Sequence, residues 1–188
     1  MHRVAICRLR PYEAGDAPAL WEAARESVAD VFPWLAWCHA QYSMAEAVEW
    51  IRSRRQLAAE GQEYNFAIVG DDGRFLGGCG LNQINRIQKF GNLGYWVRSS
   101  ATGRGVATET VRQAADFAFQ NTDLVRLEIV CAVGNERSQR VAARAGAVRE
   151  GVLRHRLMIH GQPVDAVMFS LVRGASVSNE AQTRSRSY

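Results

Sequence analysis

The chain begins with a short apolar run, VAICRL (4–9), which predicts a first strand. Asp16 followed by Pro18 reads as a helix start, with Asp16 as N-cap and Pro18 in the first turn of a helix over roughly 17–29. VFPWLAWCHAQY (31–42) has no clear period and is broken by Pro33; it reads as a loop that either packs or walls a pocket. Ser43 and Glu46 make a capping box that opens a second helix, running to about Glu60. YNFAIVG, the turn DDG and RFLGGCGLNQI then predict an antiparallel hairpin, and GNLGYWVRS a fourth strand. Apolar positions 107, 111, 114, 115 and 118 share one helical face, so a helix is expected from Val106 to about Gln120. LVRLEIVCAV (124–133) is a fifth strand, and Asn135–Ala145 a helix closed by Gly146. VREGVLRHRLMI, the turn HGQP and VDAVMFSLV form a last hairpin.

The resulting order is β-α-α-β-β-β-α-β-α-β-β. It predicts an α/β (α+β) mixed sheet with a single βαβ crossover around 91–133. Residues 1–173 are expected to form one domain. The polar stretch GASVSNEAQTRSRSY (174–188) has little to bury and is expected to be disordered.

Composition narrows the functional classes. Apolar residues make up 47% and charged residues 22%, as in ordinary globular domains. No apolar run approaches the ~18 residues of a membrane span, and MHRVAICRLRPYE lacks the apolar segment of a signal peptide, so a cytoplasmic protein without membrane contact is expected. Cys7, Cys38, Cys79 and Cys131 form no CxxC pair and do not cluster with the four histidines; they read as buried thiols, and no metal site is expected. The net charge of +4 is scattered along the chain, which argues against a nucleic-acid partner. Arg137, Arg140 and Arg144 share one helical face, either a solvated stripe or a contact for an acidic phosphate group.

The chemistry concentrates where the fourth strand hands over to a helix, in WVRSSATGRGVATET (96–110). Gly103 and Gly105 allow a sharp turn and a close backbone approach, and the N–H groups at the helix start lack internal partners. Together they make an anion site. A Walker loop is excluded because no Gly-Lys-Ser/Thr is present, and the dinucleotide fingerprint because Thr108 stands where its third glycine or alanine belongs.

Thr102-Gly103-Arg104-Gly105-Val106-Ala107 resembles the coenzyme A loop of the GNAT N-acyltransferases, Gln/Arg-x-x-Gly-x-Gly/Ala, with Thr102 departing at the first position. The blocks GYWV, GRGVATE, NERS, AGAVREGVLR and DAVMFSL follow in the order of the RimJ/RimL-type branch, the ribosomal-protein N-terminal acetyltransferases and their relatives. The resemblance spans about residues 5–172. It implies the GNAT fold and acetyl-CoA as co-substrate. It also implies that Gly103, Arg104, Gly105, Val106, Ala107 and Thr108 present N–H groups to the pyrophosphate, beside Thr102. Trp96 and Val97 would pair through backbone with the pantetheine arm. Asn135, whose side chain can also cap its helix, would bond the same arm, and Ser138 would sit near the sulfur and protonate the departing thiolate.

Two positions depart from that family. Leu157 stands nineteen residues after the serine, where the ribosomal-protein enzymes have a glutamate proposed as base, and Ala142 stands where a related branch has a tyrosine acid. Glu128, alternating with core-facing Leu127, Ile129 and Cys131, is the surviving candidate base, unless it is paired with Arg126 or another strand neighbour. An α-amine titrates near pH ~8 and a lysine near ~10.4, so a lysine needs about 3 kcal/mol more to become nucleophilic at neutral pH. Loss of the usual base therefore favours α-amines and other weakly basic amines. With no cysteine in a reactive motif, the expected reaction is direct attack by a primary amine, of a protein N-terminus or a small molecule, in a ternary complex. The alternative is a GNAT-like module that binds coenzyme A without turnover. A homodimer is left open.

Overall fold

The computed structural model describes residues 7–174. Strand β1 (Cys7–Pro11) leads through a 3₁₀ turn into α1 (Ala17–Glu26), α2 (Val28–Val31) and α3 (Met44–Ala59). Then come β2 (Tyr64–Gly70), β3 (Phe75–Asn85), β4 (Phe90–Val97), α4 (Val106–Asn121), β5 (Arg126–Ala132), α5 (Glu136–Arg144), β6 (Val148–Ile159) and β7 (Gln162–Val172). The strands form one seven-stranded mixed sheet in the order β1-β2-β3-β4-β5-β7-β6. Every pair is antiparallel except β4 with β5, the crossover that α4 spans. Residues 4–6 of the expected first strand and 175–188 of the expected tail lie outside the described residues.

Alternation along the strands divides two cores. On one face Cys79, Leu81, Leu93, Leu127, Ile129 and Cys131 pack with Val111, Ala114 and Ala118 of α4 and Ala142 of α5. On the other, Ala67, Val69, Phe75 and Trp96 pack with Leu20, Ala23 and Ala24 of α1 and with Ala47 and Ile51 of α3. The Ser43–Glu46 capping box forms as expected: Ser43 Oγ accepts from Glu46 N–H at 3.2 Å and Glu46 accepts from Ser43 N–H at 2.9 Å.

Two local expectations are corrected. Asp16 stands at the N-cap position of α1, but its side chain does not cap the helix. Its buried carboxylate receives Arg10 Nη1 and Nη2 at 2.7 and 2.6 Å and Glu13 N–H at 2.8 Å, so its acceptor sites are taken by charged and backbone donors. Pro18 does lie in the first turn of α1. The helix expected over 17–29 breaks after Glu26, because buried Ser27 donates back to Ala23 O at 2.6 Å and receives Ser99 N–H at 3.0 Å. Ser27 thereby ties the end of α1 to the turn that follows β4.

Candidate functional site

Strands β4 and β5 pair only at Phe90–Arg126, Gly91–Leu127 and Asn92–Glu128. Beyond Asn92 they splay, leaving the C-terminal edge of β4 without a partner on that side while β5 goes on pairing with β7 as far as Ala132–Ala166. A cleft of about 750 Å³ fills the opening. Its lining includes Trp96, Val97, Thr102, Gly103, Gly105, Val106, Ala107, Thr108, Asn135 and Ser138; Arg104 belongs to the same loop without lining the cleft.

The loop owes its shape to two left-handed glycines. Gly103 has φ +74° and Gly105, the N-cap of α4, has φ +85°. Among the described residues, nothing accepts from the N–H groups of Gly103, Arg104 or Gly105. The first N–H groups of α4 add further free donors at the positive end of the helix. A buried clamp holds the loop's base. Arg98, 3% exposed, donates to Glu22 at 2.8 Å, to Glu26 and to Phe75 O at 3.2 Å, while Glu26 accepts Ser100 N–H at 2.7 Å. Hydrogen bonds from Arg98, then from Ser100, hold the Glu26 carboxyl down at about 2. Sequence reasoning passed over this clamp because Arg98 lies more than 70 residues from both glutamates it holds.

Asn135 caps α5 through Oδ1, which accepts Ser138 N–H at 3.1 Å. Ser138 Oγ lies 3.0 Å from the Tyr95 hydroxyl and 3.2 Å from Cys131 Sγ, and Tyr95 also donates to Ser138 O at 3.1 Å. Tyr95 was missed from sequence. It stands on the face of β4 opposite Trp96, and only the packing of α5 onto β5 brings Ser138 to it. Burial raises the Tyr95 hydroxyl far above its ordinary value and raises the Cys131 thiol, so both are neutral near pH 7.

Glu128 points away from the α4 core, as alternation requires, but it is not among the residues that line the cleft. Its carboxylate accepts Arg126 Nε at 2.9 Å, and Arg126 is also held bidentately by Glu150 at 2.7 and 2.6 Å. The ion-pair reading is therefore the one its contacts support. Leu157 does line the cleft, presenting an apolar side chain where the resembled enzymes have a carboxylate. Arg137, Arg140 and Arg144 line it too, Arg137 paired with Asp30 at 3.0 Å and Arg140 with Glu136 at 3.2 Å. The segment after α2 serves both readings given to it: Trp37 packs edge-on against Trp96 at 5.2 Å, while Trp34, Leu35 and Trp37 wall the cleft. All four cysteines are buried free thiols. No helix among the described residues is long and apolar enough to cross a membrane.

Comparison with known proteins bears on this geometry. YdaF of Bacillus subtilis is 33% identical over 102 residues, covering 54% of this chain and 56% of YdaF. The ribosomal-protein-serine acetyltransferase of Escherichia coli is 28% identical over 120 residues, 64% of this chain and 66% of that enzyme. The aligned stretch thus spans about half to two-thirds of these relatives. The solved structure of Mycobacterium smegmatis RimJ in complex with CoA-disulfide superimposes with a TM-score of 0.84 at 25% identity, covering 93% of this chain and 87% of that one. The family model described as Acetyltransferase (GNAT) domain matches residues 7–148, a span that takes in the splayed strands, the glycine loop and α5. The chain belongs to the GNAT acetyltransferase family.

Proposed function

We propose that the protein transfers an acetyl group from acetyl-CoA to a primary amine by direct attack. The observation that carries this reading is the cleft itself, with free loop N–H groups at one end and Ser138 along its wall. The residues fit coenzyme A. The left-handed loop from Gly103 into α4 offers backbone donors to a pyrophosphate, and a Cβ placed on Gly103 would meet nothing within 4 Å. The unpaired edge of β4 around Trp96 and Val97 suits an extended pantetheine arm, with Asn135 on the opposite wall.

The chemistry then divides among the chain's own groups. Backbone N–H groups near Val97 polarise the thioester carbonyl as charge develops on its oxygen. The amine nitrogen forms the new bond to the acyl carbon, the carbon–sulfur bond breaks, and Ser138 Oγ passes a proton to the departing sulfur and takes one back from solvent. Tyr95 holds the Ser138 hydroxyl in place. Cys131 is kept as a thiol by burial, so it makes a poor nucleophile and a covalent acetyl-enzyme is disfavoured. With Glu128 ion-paired and Leu157 in the cleft, the acceptor enters already neutral and loses its proton to solvent.

The acceptor side supports a weakly basic amine, such as a peptide α-amine, amino acid or hydroxylated amine. Among the described residues lining the cleft the one carboxylate is Asp30, already engaged by Arg137 and Ser99, so a polycationic acceptor finds little counter-charge. Leu157 favours a second reading, a module that holds coenzyme A without turnover. Free-thiol release from acetyl-CoA with a panel of peptides, amino acid amides and alkylamines decides between them. Release with α-amines supports the enzyme, and tight coenzyme A binding with no release from any amine leaves the module.

A further inference from the structure

Tyr12, directly after β1, is buried at 4% exposure, and its side chain is oriented by other aromatics. Its ring packs edge-on against Trp50 at 4.9 Å and tilted against Phe75 at 6.1 Å. Yet its hydroxyl finds no hydrogen-bond partner among the described residues. Native proteins pair nearly all such groups, and leaving one unpaired is costly. Loose packing does not explain this one. The sheet beneath the hydroxyl is bare because residue 78 is glycine; a Cβ there would collide with the Tyr12 oxygen and come within 3.0 Å of Trp96 Nε1. Tyr12 and Gly78 both line the cleft, on the face that carries Trp96 rather than the α4 side. Gly78 pairs in register with Trp96, so the hydroxyl lies one strand away from the backbone proposed to meet the thioester.

Burial keeps the phenol protonated far above its ordinary range, so it offers an O–H donor rather than a base. A donor needs a lone pair, and the lone pair of an attacking amine is committed to the acyl carbon. The complement is therefore a second atom of the acceptor, an oxygen a few bonds from the reacting nitrogen. We infer that the Tyr12 hydroxyl binds the acceptor by donating a hydrogen bond to a carbonyl or hydroxyl oxygen beside its amine. This rests on the acetyl-transfer reading above. It makes Tyr12 a specificity residue that selects amino amides, peptide N-termini and amino alcohols over plain alkylamines.

The test compares the full chain with its Tyr12→Phe variant on alaninamide and on sec-butylamine, which lacks the oxygen. On alaninamide the variant should lose 10-fold or more in specificity (kcat/KM). On sec-butylamine the change should stay under 2-fold, and the KM for acetyl-CoA should be unaltered. The melting temperature should stay level or rise, since the variant removes an unpaired buried group. A purely structural tyrosine would not separate the two amines. Equal kcat/KM for variant and unaltered chain on alaninamide overturns the inference, as does an equal loss on both amines. Absence of thiol release by the unaltered chain with every amine overturns the acetyl-transfer reading along with it; release by the unaltered chain with no effect of Tyr12→Phe overturns this inference alone.

Discussion

Replacing Ser138 by alanine separates a proton donor from a helix residue, because the structure predicts different sizes for its two effects. The cap of α5 uses the backbone N–H of residue 138 and the side chain of Asn135, so it survives the substitution. The Tyr95 hydroxyl loses Ser138 Oγ at 3.0 Å but keeps the carbonyl of residue 138 at 3.1 Å, so it is not orphaned. Cys131 Sγ loses its weaker contact with Ser138 Oγ at 3.2 Å as well; losing the Tyr95 hydrogen bond costs about 1 kcal/mol, and the thiol contact adds little. Alanine's better helix propensity returns roughly 0.5 kcal/mol. The net, below about 1 kcal/mol, lowers the melting temperature by no more than about 2–4 °C for a chain of this size. A general acid aimed at a leaving group is worth about 10²–10⁴ in rate, or roughly 3–5 kcal/mol. Steady-state thiol release on a good acceptor should therefore show kcat down at least about 100-fold and KM for acetyl-CoA nearly unchanged. Tyr95→Phe should lower kcat by roughly 10-fold, and in the Ser138→Ala background should cost almost nothing further, because it acts through the serine. If kcat for Ser138→Ala stays within about 3-fold of the unaltered chain, Ser138 does not protonate the thiolate. Additive losses in the double variant would refute the role given to Tyr95.

Three further outcomes follow from the geometry. Gly105→Val places a branched side chain at φ +85° in the proposed pyrophosphate cradle, so coenzyme A affinity measured by calorimetry should fall more than about 10-fold and the melting temperature should drop; a folded variant with full affinity would exclude this loop as the site. The Glu26 carboxyl sits at about 2 in the folded chain against an ordinary value of 4.5, so its stabilisation is present above about pH 4.5 and is lost as pH falls toward 2. After allowance for solvent screening that amounts to about 1–2 kcal/mol. Glu26→Gln should flatten the stability profile between pH 5 and 2, and an unchanged slope would show that Arg98 does not hold this group. For Glu128→Gln, turnover should keep its rise with pH toward the amine's own pKa, ~8 for an α-amine; a flattened lower limb would instead establish Glu128 as the base.

What the sequence determined by itself is what short-range chemistry decides. Ser43 and Glu46 are three residues apart, so their capping box needs nothing beyond the first turn of α3. Alternation along β5 and the 3.6-residue period of α4 follow from which face each element must bury. The left-handed loop at Gly103 and Gly105 was legible because only glycine enters that backbone region without strain. The tertiary structure alone decided what depends on contacts between distant residues. The last hairpin was legible as a hairpin, but its placement with β7 between β5 and the edge strand β6 was not, since either strand could have paired with β5. The splaying of β4 from β5 after Asn92 makes the cleft, and no local pattern marks where pairing stops. Asp16 was a plausible cap until Arg10 and Glu13 competed for its oxygens, and Ser27 sat unmarked inside a helical pattern until Ser99 packed against it. Tyr95 meets Ser138 across 43 residues, Arg98 meets Glu22 across 76, and Tyr12 reaches over Gly78 from just past the end of β1. These meetings arise because burying both faces of one twisted sheet brings side chains together that no sequence window contains.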